Sequence, residues 1–103
     1  MLLLKLLQDE DMYGYQMIAE LERRSDHTFS LKAGTLYPLL HDLQQQGMIH
    51  VYEKLSETGR LRKYYSLTKE GRQMLAAKEA EWSDFSTAVN RVLSGGGASL
   101  ATV

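Results

Sequence analysis

The chain has 103 residues, 44% hydrophobic and 24% charged, with a formal net charge of −1 and no cysteine. That length bounds it to one domain, and the balance excludes a wholly disordered or collagen-like chain. The missing cysteine excludes a disulfide framework and a thiolate metal site.

Leu2, Leu3, Leu4, Leu6 and Leu7 cover most of a helix circumference, which predicts a first helix over 1–8 buried all round. No N-cap residue precedes it, so a helix that began upstream is expected. The apolar run is too short to span a membrane and lacks the features of a signal peptide, so a cytoplasmic protein is expected. After a polar break at Gln8–Asp11, Gly14, Met17, Ile18 and Leu21 share one face of a second helix over about 13–24. Phe29 and Leu31 flank Ser30 and suggest a minimal strand.

Leu36, Leu39, Leu40 and Leu43 repeat the same spacing and predict a third helix over about 33–46, with the leucines as core and Gly47 after its end. Pro38 suits that helix if the first turn begins near Gly34, where amide donors are free anyway. The period then changes. Met48–Lys54 and Arg62–Leu67 read as two strands around the turn signal Ser56-Glu57-Thr58-Gly59, which makes a β-hairpin, with Tyr65 inward and Tyr64 more exposed. Thr68 is a good N-cap for a last helix reaching about Leu93, ~38 Å long at ~1.5 Å per residue. A domain of this size has a radius of gyration of only ~13 Å, so that helix outruns its own domain.

The last helix carries Leu75, Trp82 and Val89 on one apolar track and Phe85 and Val92 on another, interrupted by Lys78. Such a seam implies a partner helix, most simply a second copy, although it also suits packing on the chain's own first helix. Residues 94–103 are uncharged and contain a Gly run, which reads as a flexible tail. Gly14 and Gly71 read as packing residues that allow close approach.

Charge is unevenly spread. Residues 1–30 carry three basic and six acidic side chains, residues 31–72 seven and four, and residues 73–103 two and three. A basic middle between acidic flanks suits an anion-binding face. The element order is that of a winged helix-turn-helix: mainly α with a small β-hairpin, plus a long C-terminal dimerisation helix. In that arrangement the third helix enters the major groove of DNA. Opposite its leucines lie Tyr37, Pro38, His41 and Gln45, with Lys32 and Thr35 near its start. Lys54, Arg60, Arg62 and Lys63 surround the hairpin turn and suit phosphate contact, or merely add solubility. No Gly-rich phosphate loop occurs, and His27, His41 and His50 lack metal-ligand spacing, so neither catalysis nor a metal or other cofactor is expected.

Four stretches resemble the PadR-like transcriptional regulators: Tyr13-Gly14-Tyr15, Gly34-Thr35-Leu36-Tyr37-Pro38-Leu39-Leu40, Gly47-Met48-Ile49, and Arg62-Lys63-Tyr64-Tyr65-Ser66-Leu67-Thr68-Lys69-Glu70-Gly71. The resemblance runs over roughly Leu2–Leu93. It implies a homodimeric repressor of double-stranded DNA, with residues 1–68 as the DNA-binding domain, 69–93 as the dimerisation helix and 94–103 as the tail. It places the groove helix on Gly34–Gln46 and the wing on Leu55–Leu61. Trp82 is similar in place to a tryptophan with which multidrug-binding members stack planar aromatic compounds between subunits, and Glu81 and Asp84 nearby would favour cationic ones. The other reading is a protein-interaction module whose last helix recruits a different protein.

Overall fold

The structure, a computed structural model, describes residues 1–95, so the expected tail lies outside the described residues from position 96 onward. Four helices and three strands follow in the order α1 (Leu2–Asp9), β1 (Met12–Tyr13), α2 (Gly14–Arg24), α3 (Ala33–Gln45), β2 (Ile49–Leu55), β3 (Leu61–Leu67) and α4 (Lys69–Leu93). The strands form one antiparallel sheet in the order β1-β3-β2. This is a winged helix-turn-helix with an appended C-terminal helix.

The core gathers Leu4 and Leu7 of α1, Met17 of α2, Leu36 and Leu40 of α3, Met12, Ile49, Tyr65 and Leu67 of the sheet, and Leu75 of α4. Burying a leucine or methionine completely contributes roughly 1.5–3 kcal/mol. The segment α1 is not buried all round. Leu3, Leu4, Leu6 and Leu7 are covered, but Leu2 and Lys5 face solvent, because α2, β3 and α4 enclose only part of its circumference.

The third strand lies elsewhere than expected. Residues 29–31 form no strand. Asp26 and His27 adopt left-handed backbone (φ 51° and 65°), which swings the chain round, and the Phe29 amide donates to Ser25 Oγ at 2.9 Å. The edge strand is instead Met12–Tyr13, where Met12 pairs with Tyr65 and Tyr13 with Tyr64. Met12 points into the core, and Tyr13 packs edge-on against Tyr64, with ring centroids 5.5 Å apart.

Two expectations about α3 change. Leu36 and Leu40 are core and Leu43 is half-buried, but Leu39 is 42% exposed. It borders a groove of about 710 Å³ with Leu2, Phe29, Leu31 and Leu43 instead of entering the core. Helix α3 starts at Ala33, so Pro38 sits beyond the first turn. The helix runs on because the acceptor that Pro38 leaves unserved, the Gly34 carbonyl, belongs to an exposed residue, while Leu36 and Leu40 anchor the opposite side. Gly47 (φ 75°) ends α3. Its amide donates to Gln44 O at 3.0 Å and that of Met48 to Leu43 O at 2.9 Å, the paired bonds of a Schellman stop.

The hairpin turn closes through the Ser56 amide on Arg60 O (2.7 Å) and the Gly59 amide on Ser56 O (2.9 Å). Thr68 caps α4 as expected. Its Oγ1 accepts from the Gly71 amide at 3.0 Å and donates to Gly47 O at 2.6 Å, which ties the start of α4 to the end of α3. A β-carbon on Gly71 would lie 2.1 Å from the Met48 carbonyl oxygen, so only glycine allows this approach. Leu75, expected on the seam, is 0% exposed and belongs to the chain's own core, since the first two turns of α4 pack on the body. From Ala76 to Leu93 the helix is exposed almost throughout.

Candidate nucleic-acid interface

The exposed side of α3 presents Thr35, Tyr37, Pro38, His41 and Gln45, with Lys32 at its N-cap. Tyr37, His41 and Gln45 are spaced by four and form one stripe. Tyr37 leans away from that stripe onto the start of α2. There it shares a cleft of about 350 Å³ with Gly14, Tyr15, Tyr65 and the wing residues Arg60, Arg62 and Lys63. One surface therefore joins α3 to the wing. Lys32, Thr35, Pro38, His41 and Gln45 stand on the same helix outside the cleft. Burial, then the nearby Tyr37, pushes the Tyr65 phenol above its ordinary value.

The wing cations divide between the two faces of the hairpin. Residues directly opposite in register share a face, and faces alternate along a strand. Lys54 pairs with Arg62, on the face that carries Tyr13, Tyr52 and Tyr64. Lys63 pairs with Glu53 on the other face. The Arg62 guanidinium lies 4.1 Å from the Tyr13 ring centroid, and Lys54 Nζ 4.6 Å from that of Tyr64. Tyr52 stacks on Tyr64 at 5.9 Å. These neighbours explain why Tyr64, expected to be more exposed, is only 7% exposed. The aromatic set is anchored at its outer edge. The Tyr52 hydroxyl donates to Asp11 Oδ2 at 2.6 Å, which pushes its pKa up to about 12.

Ion pairing separates the wing cations from those of α2. Among the described residues Lys5, Arg23, Arg24, His27 and Lys78 each have a carboxylate within 4.0 Å, and Lys32, Lys54, Arg60, Arg62 and Lys63 have none. The α2 cations are thus neutralised locally, whereas Lys32 and the wing cations are not, and neither are Lys69, Arg72 and Arg91 on α4.

Residues 3–77 match the transcriptional regulator PadR-like family. The chain belongs to the PadR-like family of transcriptional regulators. A PadR-like transcriptional regulator from Bacillus cereus shares its fold with a TM-score of 0.81 and 32% identity, over 90% of this chain and 88% of that one. A PadR family transcription regulator from Clostridium difficile matches with a TM-score of 0.77 and 34% identity, over 89% and 94%. The transcriptional regulator YqjI of Escherichia coli is 32% identical over 75 residues, 73% of this chain but only 34% of that protein.

In this PadR-like chain the remaining seam residues Trp82, Phe85, Val89 and Val92 are exposed, Trp82 at 55%. Trp82 and Phe85 lie 6.0 Å apart and line a shallow hollow of about 450 Å³ with Met1, Lys78 and Glu81. Lys78 Nζ stands 3.7 Å from Glu81 Oε2, which offsets the negative charge expected there to attract cations. Tyr13 and Tyr15 also border the α3–wing cleft, a role that nothing in their own segment predicts. The Tyr13-Gly14-Tyr15 triplet is the local signal, but its place in the cleft follows from β1 pairing with β3.

Proposed function

We propose that this PadR-like chain is a cytoplasmic, homodimeric repressor that binds a pseudo-palindromic site in double-stranded DNA. In this reading α3 of each subunit enters the major groove, with Pro38, His41 and Gln45 towards base edges, Tyr37 at the junction of α3 and the wing, and Lys32 and Thr35 near the flanking backbone. Arg60 and Lys63 meet phosphate, supported by Arg62 and Lys54 from the aromatic face of the wing. The observation that carries the proposal is the cleft joining Tyr37 to wing cations that have no carboxylate partner. Residues 1–68 form the DNA-binding unit, and the distal part of 69–93 pairs two copies through Trp82, Phe85, Val89 and Val92. The exposure of these four side chains along a helix that outruns its body supports that role.

Selection of duplexes from a random DNA pool tests this directly. The expected product is two half-sites one helical turn apart, ~34–36 Å centre to centre. Recovery of no preferred duplex sinks the DNA reading and leaves the interaction module. Trp82 of each subunit would stack on a planar aromatic effector. Such dyes should quench its fluorescence, and the absence of quenching across several dyes removes the effector and leaves the repressor standing.

A further inference from the structure

Among the described residues a glycine opens each of two close approaches, and the two differ in what a side chain would strike. At Gly71 the nearest atom is the Met48 backbone carbonyl, which cannot yield without moving the chain. At Gly14 all three nearest atoms belong to the outer end of one side chain: Tyr37 Oη at 2.3 Å from the missing β-carbon, Cζ at 2.8 Å and Cε1 at 3.1 Å. Tyr37 is 41% exposed, so its ring can turn outward without disturbing the core. Gly14 is the first residue of α2 and directly follows Tyr13, which pairs with Tyr64 in the wing strand β3. The Tyr37 ring therefore bridges α3 to the root of the wing, seated in a hollow that exists because residue 14 has no β-carbon.

We infer that Gly14 is a positioning residue for sequence recognition. Its empty β-position seats Tyr37 and so fixes the ring of the groove helix against the strand that leads to Arg60 and Lys63. This rests on the DNA-binding reading above and adds to it the residue that sets the tyrosine's orientation. An alanine at position 14 would push the hydroxyl about 1 Å to reach ordinary contact. No charge would change, so the attraction to phosphate that underlies non-specific binding would persist.

The test uses the full chain, a duplex enriched from a random pool by the wild-type protein, and a scrambled duplex of equal length. Gly14→Ala should keep the thermal midpoint and the affinity for the scrambled duplex. It should lose about tenfold on the enriched duplex, the ratio that corresponds to ~1.4 kcal/mol. In a Tyr37→Ala background the seat is empty, and adding Gly14→Ala should cost nothing more. Equal binding of the enriched duplex by Gly14→Ala overturns the inference. So does a further loss in the Tyr37→Ala background, which would mean that residue 14 acts independently of the tyrosine. A Gly14→Ala chain that fails to fold overturns it as well, because the inference requires the Tyr37 ring to yield first. If the wild-type chain enriches no duplex, the DNA reading fails and this inference falls with it. If enrichment succeeds and Gly14→Ala behaves as wild type, only the inference fails.

Discussion

Arg23 and Arg24, at the end of α2, both close on Glu20, and Arg24 also reaches Asp9 Oδ2 at 2.7 Å. Arg60 and Lys63, on the wing, meet no carboxylate within 4.0 Å among the described residues, although Glu53 stands directly opposite Lys63 in the strand register. All four cations are surface residues, so burial does not separate them. The helix does: it brings carboxylates three and four residues away onto the same face, where they pair. The hairpin offers only one facing partner, at a distance that does not close. A net charge of −1 therefore coexists with a local group of wing cations that no carboxylate neutralises.

The strongest way to break this comparison is to remove one pair of cations from each region. Replacing Arg60 and Lys63 together with Ala should make the salt dependence of DNA binding shallower by about 1.8 in logarithmic slope per subunit, about 3.6 for the proposed dimer, at ~0.9 for each phosphate no longer neutralised. Replacing Arg23 and Arg24 with Ala should leave that slope alone, since their charge is already matched by Glu20 and Asp9. Binding titrations at several salt concentrations read both. Equal changes in the two double variants would mean that DNA responds to total charge and that the wing has no privileged place.

How far the sequence reaches can be judged from the same regions. Helices α2, α3 and α4 were legible because their signals are local: the leucine spacing of α3, Gly47 at its stop and Thr68 at the start of α4. The strand β1 was not. It has two residues and no internal pattern, and it exists because Tyr64 and Tyr65, some fifty positions later by number, present a strand edge to Met12 and Tyr13. The burial of Tyr64 is non-local in the same way, depending on Tyr13, Tyr52 and Lys54. In the candidate interface, Tyr37 and the wing cations were each legible from their elements. Their meeting at Gly14 was not, because it requires knowing which atoms fill the space a glycine leaves. Leu75 shows the converse: a periodic seam does not say where along it burial against the chain's own body ends.

A second, smaller effect separates the regions by pH. Hydrogen bonds from Arg23, then from Arg24, hold the Glu20 carboxyl down at about 2, below its ordinary 4.5. A depressed folded-state value adds stability that is fully present above 4.5 and is lost as pH falls towards about 2. The carboxyl lies at the protein surface within reach of solvent, its side chain 26% exposed, so the contribution is modest and weakened by salt. Thermal midpoints followed through that acid window should fall less steeply for Glu20→Gln than for wild type. Parallel curves would show that the α2 cluster is not closed in solution. Glu20 does not line the α3–wing cleft, so Glu20→Gln should leave the DNA-binding salt slope unchanged at neutral pH.

The smallest effect expected concerns Lys54, which shares the wing's charge but not its direction. It lies opposite Arg62, on the face away from the partner pair Glu53 and Lys63, with Nζ 4.6 Å from the Tyr64 ring centroid. A lysine over an aromatic ring at an exposed site contributes ~0.5–1 kcal/mol. In a domain of this size that corresponds to a midpoint shift of about 2–8 °C. Lys54→Ala should therefore lower the thermal midpoint slightly and change the salt slope of DNA binding less than Lys63→Ala does. The reverse order would place phosphate against the aromatic face of the hairpin. The strand Ile49–Leu55 would then have to turn that face, and not the Tyr37 cleft, towards the duplex.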